Sequence, residues 1–257
     1  MVTSSLRRYR PRPAARVRLL CFPHAGGGAS GYRAWAALLP PTVELVVVQY
    51  PGREDRFDDP APTDLVSLAG HVAAELRPLL DRPFAMFGHS MGTLVAYETL
   101  QRLRWEGARE PDLLVVSGRP APDEALGGQL HLGDDEGLCD ELARLGGATQ
   151  EMFADPEIRR VFLPYIRDDY RLVETYRPRA AEPLDCPVTV FVGTSDPECD
   201  AAAAAGWARF TRGPLAVRSF PGDHFYLVPG RARVVAEISA LLDPALARSS
   251  AAWPSMP

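Results

Sequence analysis

An α/β fold, a mostly parallel central sheet flanked by helices, is predicted by three features of this 257-residue chain. Short runs rich in β-branched and aromatic residues recur along it. Helix-period segments separate most of those runs. Several runs are apolar throughout rather than alternating, which marks strands buried on both faces, as crossover helices on either side of a parallel sheet require.

The first legible strand is VRLLCF (17–22); none can be read before residue 17. VELVVVQY (43–50) is the second, and LVSLAGHVAAELRPLL (65–80) follows with a helical apolar period. FAMFG (84–88) is a third buried strand, leading into the helix-like TLVAYETLQRLRW (93–105), and DLLVVSG (112–118) is a fourth. From Arg119 to Cys186 the alternation breaks. No strand is readable there, whereas DDEGLCDELARLGG and DPEIRRVFLPYIRDDYRLVETY have helical patterns with Asp caps and a boundary at Pro164. A pair of crossover helices would be too short to fill the interval, so a helical lid over the carboxyl edge of the sheet is expected at about 119–186. VTVFVG (188–193) and LAVRSF (215–220) complete the sheet. Residues 1–247 read as one domain, and 248–257 as a disordered tail.

Composition narrows the function. The chain is 46% hydrophobic and 24% charged, as in an ordinary globular protein, and its net charge of −5 argues against nucleic acid as a partner. All 28 basic residues are arginine. The four cysteines form no CxxC pair and no zinc-like spacing, so free thiols in a reducing compartment and no bound metal are expected. The basic N-terminal stretch is interrupted by arginine and too short in its apolar run for a signal peptide. No run approaches the roughly 18 apolar residues of a membrane span. A cytoplasmic protein with no membrane partner is expected.

Within FAMFGHSMGTLVAYE (84–98), Ser90 lies between Gly88 and Gly92, after a strand and before a helix. That context fits a nucleophile elbow, a sharp turn that lifts a serine hydroxyl above the sheet at a helix N-terminus. There the backbone amides and helix dipole favour developing negative charge. A tight strand-to-helix turn with serine as a cap is the plainer alternative. If Ser90 is a nucleophile, it needs a base, and the base needs an orienting carboxylate, in the order serine, acid, histidine. Only His131 and His224 follow Ser90. His131 falls in the helical insertion, whereas His224 sits in FPGDHFYL, a turn directly after a strand. The acid belongs at the carboxyl end of the preceding strand, where GTSDPECD supplies Asp196. Asp200 and Asp223 are its rivals, the latter disfavoured because sequence neighbours rarely aim at each other.

CFPHAGGGASGYRAW contains Gly26, Gly28 and Gly31 in a GxGxxG spacing. A dinucleotide site also wants an acidic residue ending the next strand, but that strand ends in Gln49 and Tyr50. No cofactor is therefore expected. A flexible turn after this strand instead brings a backbone N–H towards the serine. Ala25 and Met91 are the candidate oxyanion-hole donors, and His24 and His89 are expected to position the loops through hydrogen bonds.

CFPHAGGGASGYRAWAALLP, VQYPGREDRF, FAMFGHSMGTLVAYE, LLVVSGRPAP, GTSDPECD and FPGDHFYL together resemble the type II thioesterases of polyketide and nonribosomal peptide biosynthesis. The similarity extends from about Leu19 to about Leu242. It implies a stand-alone α/β-hydrolase that removes aberrant or stalled acyl groups from the phosphopantetheine arm of acyl or peptidyl carrier proteins. By position, it places the nucleophile on Ser90, the acid on Asp196, the base on His224 and the oxyanion donors on Ala25 and Met91. A monomer meeting its carrier protein transiently is expected. Arg53, Arg56, Arg159, Arg160, Arg167 and Arg171 are either carrier or phosphate contacts or solvated surface charge. The alternatives are a carboxylesterase or lipase acting on small esters, a chain-terminating domain cut from a megasynthase, and a non-catalytic binding protein of hydrolase fold. Met1 and the lack of an upstream carrier segment weigh against the excised domain, and the intact serine, acid and histidine set against the binding protein.

Overall fold

The computed structural model describes residues 4–124, 127–146 and 152–251. Its strands are β1 (Leu6–Arg7), β2 (Val17–Phe22), β3 (Val43–Val48), β4 (Phe84–His89), β5 (Leu113–Ser117), β6 (Val188–Gly193) and β7 (Leu215–Phe220). They form one sheet in the order β1-β3-β2-β4-β5-β6-β7. Every pairing from β3 to β7 is parallel, and β1 alone runs antiparallel, against β3.

The two-residue β1 had no sequence signature because a pair of residues has no period. Its neighbourhood is held by long-range bonds: Gln49 N donates to the Ser5 carbonyl at 2.7 Å, and Ser5 N donates to Glu75 at 2.8 Å.

Strands β2, β3, β4 and β6 are buried at every position. The charged residues in the first two of these resolve each other, Arg18 Nε meeting Glu44 Oε2 at 3.0 Å. An unpaired buried charge there would be severely destabilising. Alternate residues feed two cores. Leu20, Phe22 and Met86 pack on one face beneath helices α1 (Leu65–Leu76) and α2 (Met91–Trp105). Leu19, Cys21 and Phe87 pack on the other, against α5 (Arg231–Ala251).

In the 119–186 interval lie α3 (Asp135–Leu145) and α4 (Pro156–Thr175), with no named strand among the described residues. Asp134 accepts from Gly137 N at 2.9 Å and Asp155 from Glu157 N at 2.8 Å, the capping that the two patterns call for. The boundary expected at Pro164 does not occur, since α4 runs through it. Proline inside a helix costs about 3 kcal/mol. Buried Leu163, Ile166 and Leu172 on either side contribute about 1.5–3 kcal/mol each on full burial, so packing wins. Leu138, Leu142, Phe153, Leu163, Tyr165 and Ile166 form a separate small core within this interval.

Helix α5 reaches Ala251 and so includes the first residues of the stretch read as a tail; residues 252–257 lie outside the described residues. Among the described residues no helix is long and apolar enough to cross a membrane.

Candidate active site

Ser90 follows β4 directly, at φ 52° and ψ −119°, a conformation that an L residue adopts only under strain of about 1–3 kcal/mol. The surroundings impose it. Ser90 N donates to the Ser117 carbonyl of the neighbouring β5 at 2.8 Å, and Thr93 Oγ1 donates to the Gly88 carbonyl at 2.9 Å. The flanking glycines are sterically required. A Cβ on Gly92 would lie 2.0 Å from the Phe22 carbonyl oxygen, and one on Gly88 would lie 2.4 Å from the Gly92 oxygen.

Asp196 lies three residues past β6 and His224 four residues past β7, so both reach the carboxyl edge of the sheet where Ser90 stands. His224 Nδ1 lies 3.0 Å from Asp196 Oδ1 and 3.1 Å from Oδ2. The pair is dry, with His224 1% and Asp196 8% exposed. With Nδ1 engaged by the carboxylate, Nε2 is the ring nitrogen left for a serine proton. Asp196 Oδ1 is itself fixed by the Glu198 amide at 2.9 Å. Gly118, at φ +61°, clears the space, since a Cβ there would come within 3.2 Å of His89, His224 and Asp196.

The rival residues are occupied elsewhere. Asp200 caps the turn at 201–204 through Ala203 N at 2.8 Å, Asp223 Oδ1 accepts from Phe225 N at 2.8 Å, and His131 Nδ1 meets Glu174 Oε2 at 2.5 Å.

Ala25, Ser90, Met91 and His224 line one cavity of about 40 Å³, roofed by Leu142, Leu145, Tyr170 and Val173 of α3 and α4. His24, Ala25 and Phe225 also border an apolar cavity of about 470 Å³, with Leu142, Phe153 and Ile166 on its walls.

The glycine-rich loop is clamped amide by amide. Gly26 N donates to Asp169 Oδ2 at 2.7 Å, Ala29 N to Gln49 Oε1 at 2.8 Å, and Ser30 N to Glu54 Oε1 at 3.2 Å. Gln49 stands where a ribose-binding acid was missing, and its side chain holds this loop instead. Gly26 has φ +77°, and a Cβ on it would be 2.9 Å from Ile166 of α4.

The buried histidines differ in their bonding. His89 Nδ1 is 2.9 Å from Ser117 Oγ, which is 2.5 Å from the Tyr226 hydroxyl. Burial, then the nearby His224, drives its pKa well down. Burial pushes His24 to about 3, with smaller contributions from His224 and Arg53. The hydrogen bond expected of His24 is not made by its Nδ1, which has no partner. The ring is positioned by packing instead, edge-on to Phe225 at 5.1 Å and to His89 at 5.6 Å.

Neither reading of Arg53 and Arg56 holds, because both are buried. Arg53 forms a two-pronged pair with Asp169, Nη1–Oδ2 at 2.5 Å and Nη2–Oδ1 at 2.7 Å. Arg56 bonds Asp59, Ser5 and the Gln49 carbonyl. Arg159, Arg160 and Arg167 pair with Glu136, Glu157 and Asp135, and Arg171 with Asp168 and the carbonyls of Pro62 and Thr63. Asp169 escaped the sequence reading, being mid-helix and 143 positions from the amide it holds. Ser117 and Tyr226 escaped it as well, because a strand serine and a loop tyrosine carry no local signature.

A family model described as Thioesterase domain matches residues 17–242. The chain is 43% identical over 239 residues to a probable cadicidin biosynthesis thioesterase of Streptomyces griseus, covering 93% of this chain and 66% of that protein, just under two thirds of its length. Among solved structures it is similar to the type II thioesterase BorB from the borrelidin biosynthetic cluster, with a TM-score of 0.85 and 41% identity over 94% of this chain and all of that one. It is also similar to YbtT, a type II thioesterase from the yersiniabactin NRPS/PKS pathway, with a TM-score of 0.83, 29% identity and coverage of 94% and 99%.

Proposed function

The chain belongs to the thioesterase family, and from that premise we propose that it is a type II thioesterase, hydrolysing aberrant or stalled acyl groups from the phosphopantetheine arm of carrier proteins in a polyketide or nonribosomal peptide pathway. One observation carries the chemistry. A strained serine, a histidine bonded to a buried carboxylate, and the residues Ala25 and Met91 meet at one cavity.

His224 Nε2 takes the proton of Ser90 as Oγ attacks the thioester carbonyl carbon. The carbonyl electrons move to oxygen, where the amides of Ala25 and Met91, the latter at the N-terminus of α2, stabilise the charge. Asp196 fixes the tautomer of His224 and stabilises the imidazolium. Collapse breaks the C–S bond and leaves an acyl-serine, while the pantetheine thiolate takes the proton held by His224 and departs as the thiol, returning His224 to its neutral form. His224 then takes a proton from water, hydroxide adds to the ester, and the carboxylic acid departs as Ser90 regains its proton. A thiol of pKa about 8.5 needs little acid assistance to leave. Water and the protein's own residues balance each step, so the reaction requires no cofactor.

The enzyme acts as a cytoplasmic monomer that meets its carrier transiently. The decisive experiment compares kcat/KM for one acyl group on a holo carrier protein and on N-acetylcysteamine. Remote contacts with the carrier and its arm contribute to transition-state binding, so the carrier substrate is expected to be favoured at least tenfold. A ratio near one, together with efficient turnover of p-nitrophenyl esters, would instead identify a general carboxylesterase.

A further inference from the structure

We propose that Asp169, neutralised by Arg53, is a positioning residue that sets the oxyanion hole from the lid-side helix α4. The inference rests on the assignment of Ala25 as an oxyanion donor. It does not depend on whether the natural substrate is a thioester or an oxygen ester.

Both side chains are buried, Arg53 3% and Asp169 1% exposed. Oδ2 of Asp169 takes two donors at once, Arg53 Nη1 at 2.5 Å and the backbone N–H of Gly26 at 2.7 Å. Arg53 also donates from Nη1 to the Gly27 carbonyl at 3.3 Å and from Nε to the Pro51 carbonyl at 3.2 Å. Its guanidinium lies 4.8 Å from the ring centre of Tyr165, one turn before Asp169 on α4. The pair therefore grips Gly26 and Gly27, the residues directly after Ala25. Gly26 is at φ +77°, so the orientation of the Ala25–Gly26 peptide needs an external restraint, and the carboxylate supplies it.

Charge explains why two residues are required. A lone carboxylate bonded to the amide next to the assigned oxyanion donor would repel the negative charge that forms there. A lone guanidinium would leave a buried cation uncompensated. Paired, they present the Gly26 amide with an acceptor and the site with no net charge. Stability alone does not account for the arrangement, because replacing a buried ion pair by apolar side chains of similar volume is often neutral or stabilising. The pair also joins two parts of the chain. Arg53 belongs to the PGRE segment after β3 and Asp169 to α4, so the acceptor for Gly26 N comes from α4.

The double variant Arg53→Met/Asp169→Leu separates positioning from stability. It removes both charges and the acceptor for Gly26 N while keeping the volume. We expect an unchanged or raised Tm, a loss of about 100-fold in kcat/KM on p-nitrophenyl butyrate, the size of effect seen when one oxyanion donor is lost, and a parallel rise in the Ki of an alkyl trifluoromethyl ketone, whose serine adduct carries an oxyanion. Asp169→Asn keeps an acceptor for Gly26 N and is expected to lose less than tenfold, and so less than Asp169→Leu. Equal losses in these two single variants overturn the proposal even where the double variant is unstable. A folded double variant with a loss under tenfold, or with an unchanged inhibitor Ki, overturns it as well. A wild type that cleaves p-nitrophenyl butyrate but no thioester overturns the thioesterase reading alone.

Discussion

The amide of His224 donates to the carbonyl of Leu145 at 3.3 Å, tying the loop that bears His224 to the C-terminal end of α3. A Cβ on the next residue, Gly146, would lie 2.1 Å from a carboxylate oxygen of Asp223. The insertion thus bonds both loops, the one bearing His224 through Leu145 and the glycine-rich one through Asp169.

Ser90→Ala is expected to abolish hydrolysis without unfolding the protein, and a fluorophosphonate should label wild type at Ser90 alone. The backbone strain at φ 52° makes a second, independent prediction. Ser90→Gly, equally inactive, should be more stable than Ser90→Ala by about 1 kcal/mol or more, because glycine adopts this conformation freely. Urea unfolding of the two variants checks it, and equal midpoints would count against a strained elbow.

His224→Ala should match the loss from Ser90→Ala, whereas His131→Ala should keep most activity. His131 is bonded to Glu174 and does not line the serine's cavity. Steady-state kcat/KM of the two variants decides the matter, and the reverse order would move the base onto the insertion.

Asp196→Asn preserves shape but no longer favours the correct tautomer or the imidazolium of His224. A fall in kcat on the order of 10⁴-fold is expected, with KM little changed. A fall under tenfold would mean that another carboxylate orients the base.

Stability should depend on pH through the buried histidines. His24 titrates at about 3 in the folded chain against an ordinary 6.5, and His89 is shifted the same way. The unfolded chain therefore binds protons first. Stability is intact above about pH 6.5 and is lost as the pH falls towards 3, by roughly 1.4 kcal/mol per unit for each histidine. Unfolding midpoints at pH 7.5, 6 and 5 measure the slope. His24→Phe keeps the ring packing and should make it shallower; an unchanged slope would mean that His24 does not titrate as described.

Gly92→Ala would set a methyl group against two backbone carbonyls, those of Phe22 and Pro23, at 2.0 and 2.5 Å. Neither can retreat without dragging β2. A loss of about 3 kcal/mol is expected from chemical denaturation, at the upper end for overpacking. A loss under 1 kcal/mol would show that the elbow can open.

What this sequence determined by itself is what local physics writes locally. Five strands could be read because burial on both faces leaves nearly continuous apolar runs, β7 from a shorter run although it is only partly buried, and the elbow because a sharp turn against neighbouring backbone excludes any side chain at Gly88 and Gly92. Asp196 and His224 could be picked out as candidates because each follows closely on the end of a strand. Tertiary structure decided what depends on approach between distant segments. The antiparallel β1 exists through its pairing with β3, and α4 passes Pro164 because its flanks are buried. Arg53, which in the sequence could pass for surface charge, is interior because Asp169 arrives from another helix to neutralise it. A charge's meaning depends on its partner and its solvent, and neither is written beside it in the chain.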